Sequence, residues 1–261
     1  MSQTKSQPGT FCWFECGTKD QAAAKKFYSG VFGWKTVDMP MPGDMPGHYT
    51  LLKIGDADIG GLYQLSGPME GVPSHWMTYV NVESTDDTTK RARTLGAKVV
   101  AEPMDIPGVG RISVLEDPTG AHISLFQPGE HPGAAQLGLT PGTFCWSELA
   151  TRDTRAAKVF YSELFNWKAK SGQAAPMEYT EFMANEQPIG GMMEMTPQHG
   201  DAPPHWLPYV TVEDPDATAA KVSKHGGQVL VPPMDIPNVG RFSVFMDPTG
   251  AAFAVIRLAA H

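Results

Sequence analysis

Apolar positions along this chain form short stretches whose period changes from two to three or four and back. Phe11 to Cys16 reads as an aromatic-rich strand. Asp20 then stands where a carboxylate would accept from the free N–H groups of a first helical turn. Ala23, Ala24, Phe27, Tyr28 and Val31 follow at helical spacing, and Gly33 marks the exit. Strand-like pieces come next at 34–38, 48–54 and 59–65. The pattern then restarts, with a strand at 76–82, a helix over 85–95 ending at Gly96, and strands at 98–102, 111–116 and 121–126. Asp117-Pro-Thr-Gly120 between the last two has Asp first, Pro second and Gly fourth, as a type I turn favours. The order β-α-β-β-β thus occurs twice within about 130 residues.

The whole arrangement is then written again. Pro8-Gly-Thr-Phe-Cys-Trp13 recurs as Pro141-Gly-Thr-Phe-Cys-Trp146, an offset of 133 that also carries Glu15 to Glu148, Asp20 to Asp153 and Phe27-Tyr28 to Phe160-Tyr161. From Gly60-Gly61 and Gly190-Gly191 onward the offset is 130. It carries His75-Trp76 to His205-Trp206 and Asp117-Pro-Thr-Gly120 to Asp247-Pro-Thr-Gly250. The three lost residues fall between Lys35 and Tyr49, where 39–46 reads as a variable loop. Asp214-Pro215 supplies a cap and a first-turn proline for the last helix. These matches place one domain at 1–130, a linker at 131–140 and a second domain at 141–261, with four β-α-β-β-β modules in all.

Composition narrows the classes of function. The 20 basic and 28 acidic side chains of the 261 residues give a formal charge of −8, which argues against nucleic acid as the partner. No apolar run of membrane-spanning length occurs, and the first nine residues lack a signal peptide's apolar stretch. Three cysteines without a CxxC pair fit a reduced, cytoplasmic protein. With two domains in one chain, module pairing closes internally, which allows a monomer and equally a homodimer.

The order of these motifs and their double occurrence resemble the vicinal oxygen chelate superfamily of glyoxalase I, extradiol dioxygenases and bleomycin-resistance proteins. Its carriers are Trp13…Asp20…Phe27-Tyr28, Val80-Asn-Val-Glu83 and Asp117-Pro-Thr-Gly120, with their second copies. The chain is similar to a two-domain actinobacterial branch labelled glyoxalase-like or hydroxylase. The resemblance implies an α+β fold of paired βαβββ modules, each pair a curled mixed sheet forming a cup for a small molecule. It also implies four strand positions that bind a divalent ion in metal-using members. Three of these fall on Trp13 and Trp146, Met77 and Leu207, and Ser124 and Ala254; the fourth lies near Gln64 and Glu194. Trp, Met, Leu and Ala lack the hard donors such an ion requires, so the usual metal site is not expected and no cofactor is assigned.

Alternation of side chains along strands offers a displaced set. Glu15, His75 and His122 share the cup side in the first repeat; Glu148 and His205, with Glu194, do so in the second, where Ala252 replaces His122. These groups would either hold an ion or serve a packing role common to both halves. Without a metal, a general base would come from Glu15, Glu148, His75 or His205. Trp13, Gln64, Met77, His122, Ser124, Trp146, Glu194 and Leu207 are the candidate ligand-binding residues. The same alternation turns Trp76 and Trp206 away from the cup, and helical spacing places Phe27, Tyr28, Phe160 and Tyr161 in the core. Three functions stay open: a glyoxalase-like lyase or hydroxylase, a metal-free binding protein of the bleomycin-resistance type, and a protein-interaction module with filled cups.

Overall fold

The computed structural model describes residues 7–41, 47–135, 137–174 and 177–259. Most of the expected loop after residue 40, the first six residues and Gln136 of the expected linker lie outside them. The first repeat runs β1 (Phe11–Thr18), α1 (Gln21–Phe32), β2 (Lys35–Pro40), β3 (His48–Ile54), β4 (Ala57–Gln64), β5 (His75–Asn81), α2 (Thr85–Thr94), β6 (Lys98–Ile106), β7 (Gly110–Glu116) and β8 (His122–Pro128). The second runs β9 (Phe144–Thr151), α3 (Thr154–Phe165), β10 (Lys168–Ala174), β11 (Met177–Ala184), β12 (Gln187–Glu194), β13 (His205–Thr211), α4 (Pro215–Lys224), β14 (Gln228–Ile236), β15 (Gly240–Met246) and β16 (Ala252–Leu258). The fold is α+β. Its two open eight-stranded sheets are ordered β2-β3-β4-β1-β5-β8-β7-β6 and β10-β11-β12-β9-β13-β16-β15-β14. Within them β1 and β4, β5 and β8, β12 and β9, and β13 and β16 pair in parallel. No helix among the described residues is long and apolar enough to cross a membrane.

Local chemistry sets the helix starts. Asp20 accepts from the Ala23 N–H, Asp153 from that of Ala156, and Asp214 from those of Asp216 and Ala217. β6 runs to Ile106, beyond the expected end at 102, because an edge strand with irregular register tolerates Pro103. Arg111 pairs with Asp86 and Asp105, and Arg241 with Asp216 and Asp235, at exposed sites where solvent screens the attraction.

Two compact units emerge, and each draws on both repeats. One comprises Met1–Trp13, Met77–Gly133 and Trp146–Leu207. In it the buried Tyr161 hydroxyl donates to Asp117 Oδ2 at 2.7 Å and accepts from Trp206 Nε1 at 2.8 Å. Phe11 of β1 meets the rings of Trp167 and Trp206 at 5.7 and 5.4 Å. The other unit comprises Phe14–Trp76, Ala134–Cys145 and Pro208–His261. There Tyr28 donates to Asp247 Oδ2 at 2.9 Å and accepts from Trp76 Nε1 at 2.8 Å. Phe144 of β9 stacks on Phe14 at 4.3 Å and packs against Trp34 and Trp76. Trp76 and Trp206 therefore belong to the helix side of their strands, and Tyr28 and Tyr161 are fully buried.

The two-residue turn between β11 and β12 places Asn185 and Glu186 at φ 50° and 63°. Both central residues of such a type I′ hairpin need left-handed backbone, which suits Asn but strains Glu. Glu186→Gly is expected to stabilise the protein by about 0.5–1 kcal/mol in chemical denaturation, after loss of the exposed pair with Lys168.

Candidate functional site

The two-glycine steps in β4 and β12 shape the sheet faces that point away from the helices. A Cβ on Gly190 would lie 2.7 Å from the Ser147 carbonyl oxygen, so this residue admits the close approach of β9. A Cβ on Gly191 would lie 1.9 Å from the Tyr179 hydroxyl oxygen, so the Tyr179 side chain fills the space a side chain there would take. Gly191 is in register with Glu148 of β9 on one side and Glu181 of β11 on the other. Residues in register share a face, so Trp146, Glu148, Tyr179 and Glu181 line one open surface. Trp146 Nε1 donates to the Tyr179 hydroxyl at 3.0 Å. The Tyr179 phenol is held well above its ordinary pKa, first by burial and then by the neighbouring charge of Glu148. It is therefore a neutral hydrogen-bond donor beside a carboxylate.

The first repeat reproduces this pattern. A Cβ on Gly61 would lie 1.9 Å from the Tyr49 hydroxyl, and Gly61 is in register with Glu15 of β1. Tyr63 packs over Gly17 on the same face, and its phenol is raised by burial and then by Glu15. Trp13 is 8% exposed, and the His131 ring meets it edge-on at 5.0 Å.

On β5 and β13 the histidines are fixed in one tautomer. His75 Nδ1 lies 2.8 Å from the Pro73 carbonyl, and His205 Nδ1 lies 2.8 Å from that of Pro203. A carbonyl only accepts, so each Nδ1 donates, which leaves Nε2 as the acceptor in the neutral form of the ring. Burial pushes the His205 pKa down from 6.5. Below pH 6.5 the unfolded chain then binds the proton more readily, so the stability this site contributes is full above 6.5 and lost as pH falls below it. His205→Asn, which keeps a donor without titrating, is expected to flatten that part of the thermal stability profile.

A model of the Glyoxalase/Bleomycin resistance protein/Dioxygenase superfamily matches residues 11–125 and again 143–255. The chain belongs to this superfamily. Among its relatives, CFP32 of Mycobacterium tuberculosis, provisionally named a glyoxylase, is 38% identical over 98% of this chain and 97% of its own length. The anthracycline biosynthesis protein DauV of a Streptomyces species is 32% identical over 98% and 95%. Among solved structures, a Mn(II)-bound glyoxalase from Novosphingobium aromaticivorans superposes with a TM-score of 0.68 at 16% identity, covering 97% of this chain and 83% of that one. A mutant 4-hydroxymandelate synthase from Streptomyces coelicolor does so with 0.64 at 13% identity, covering 98% and 94%. At such identity the structural likeness shows the fold.

The side chains at the positions that the resemblance implies for a metal do not fit one. Trp13 and Trp146, Met77 and Leu207, and Ala254 bring no hard donor, and Ser124 brings only a buried hydroxyl. Among the described residues no three His, Cys, Asp or Glu side chains converge to hold an ion. Gln64 and Glu194 stand on the other face of their strands from Gly61 and Gly191. Gln64 accepts from the Gln21 N–H at 3.0 Å and donates to the Lys19 carbonyl at 2.7 Å, holding the entrance of α1. Glu194 is exposed beside Thr151. Exposed His122 lies 3.7 Å from Glu116, and the buried Ser124 hydroxyl has no hydrogen-bond partner. Trp146 and Glu148 are brought together, as are Glu15 and the position of Gly61.

Tyr49 and Tyr179 are the residues sequence reasoning missed. The signal was present, since both stand at the 130 offset that carries Gly61 to Gly191.

Proposed function

We propose that this superfamily member binds a small planar organic molecule on its open sheet faces without the superfamily's metal. The observation that carries this reading is the Trp146, Tyr179 and Glu148 group built over Gly191. An indole face suits stacking, and a carboxylate beside a neutral phenol suits an O–H or N–H at a ring edge. Trp13, Met77, His122, Ser124 and Leu207 are the further candidate lining, with Glu15 in the role of Glu148 in the first repeat. The relatedness to a protein named for anthracycline biosynthesis supports the choice of ligand class. Unpaired cysteines support a cytoplasmic location, and the protein is taken as a monomer or homodimer.

A second reading, a glyoxalase-like lyase or hydroxylase, is favoured by the name of CFP32 and by the neutral His205. Glu148 or Glu15, or His205 or His75 through Nε2, would then take a proton from a bound carbonyl compound. A thermal-shift screen of metal-stripped protein separates the two, because a ligand of the native state raises Tm by mass action. Planar hydroxylated aromatics are expected to raise Tm, with no hemithioacetal turnover before or after adding manganese, nickel, zinc or iron. Turnover on metal addition, with no shift from any planar compound, would overturn the binding reading.

A further inference from the structure

The strongest unexplained feature is that a tyrosine side chain fills the space over Gly191 on the second repeat's open face. Tyr179 reaches across Gly191, where a Cβ would lie 1.9 Å from its hydroxyl oxygen. That hydroxyl takes the indole N–H of Trp146, at 3.0 Å. Glu148 is in register with the same glycine, so the indole, the phenol and the carboxylate meet over a single residue. Because the Trp146 N–H is engaged in the plane of its ring, the ring cannot turn without breaking that bond. The bond thus orients the indole on the face that also carries Glu148.

We propose that Tyr179 is a specificity-determining residue that couples the stacking face of Trp146 to the carboxylate of Glu148, selecting planar molecules with an O–H or N–H donor at the ring edge. The inference rests on the binding reading above and deepens it. A neutral phenol suits this part. It donates toward Glu148 and accepts from Trp146, whereas a phenolate would repel the carboxylate. A phenylalanine would fill the same space over Gly191 and leave both neighbours without their common partner.

The test uses two probes of one ring system, 2,6-dihydroxyanthraquinone and its dimethyl ether, titrated into the full chain and followed by tryptophan fluorescence. The wild type is expected to favour the dihydroxy compound by about tenfold or more, as a hydrogen bond to a charged acceptor implies. Tyr179→Phe is expected to reduce that preference to within about threefold by weakening the dihydroxy compound, with the ether little changed. Gly191→Ala, whose new carbon would displace the hydroxyl, is expected to give the same loss, and thermal melts of both variants report folding. Equal weakening of both probes would assign Tyr179 a packing role and overturn the inference, as would a Tyr179→Phe protein that still discriminates. Absence of binding of either probe to the wild type would instead remove the binding reading, and the inference with it.

Discussion

Asp247→Ala is expected to destabilise the protein by about 3–5 kcal/mol, because it strips partners from several buried groups at once. Asp247 is 4% exposed. Its Oδ1 accepts from the Thr249 N–H and hydroxyl and from the Gly250 and Ala251 N–H groups, at 2.8 to 3.0 Å. Its Oδ2 accepts from Tyr28, which in turn accepts from Trp76. Removing the carboxylate frees the turn and leaves the fully buried Tyr28 proton without an acceptor. Tyr28→Phe removes that proton too and is expected to cost less, about 1–2 kcal/mol, mainly through the Trp76 N–H. Urea titrations of both variants check the order. Asp117→Ala should act alike in the other unit, where Tyr161 and Trp206 repeat the arrangement.

Gly60→Ala is expected to cost about 3 kcal/mol, near the upper end for an overpacked site. Its Cβ would lie 2.6 Å from the Phe14 carbonyl oxygen and 3.3 Å from the Phe144 ring. The nearest atom is backbone, so β1 and β4 would have to separate. Gly61→Ala makes the informative contrast. Its Cβ meets the end of the Tyr49 side chain, which can swing away, so stability should fall by less while the open face is disrupted. Denaturation midpoints of the two variants, measured together, give the comparison. A larger loss for Gly61→Ala would contradict the packing described for β1 and β4.

Much of this fold was legible because its signals are local. A carboxylate before a helical stretch marks Asp20, Asp153 and Asp214 as caps, and alternation places Trp76 and Trp206 on the helix side. Asp117 and Asp247 read only as turn residues, since nothing near them announces a tyrosine partner 44 or 219 positions away. Likewise Phe11 and Phe144 look like ordinary strand residues, and a burial pattern does not say that each packs into aromatic side chains of the other repeat. In the candidate site, Glu15, Glu148, Trp13 and Trp146 could be aimed by counting along β1 and β9. Gln64 and Glu194 were aimed at the same surface, but the face presented by Gly61 and Gly191 turns them the other way. The tyrosines over those glycines escaped notice because a glycine announces space without naming its occupant.

The most direct test of the account is isothermal titration calorimetry of a planar hydroxylated aromatic into chelator-treated protein, repeated after adding manganese, nickel, zinc or iron(II). Metal-free binding predicts the same affinity in every case, together with loss of binding in Trp146→Ala. Binding that appears only when a metal is supplied would contradict it.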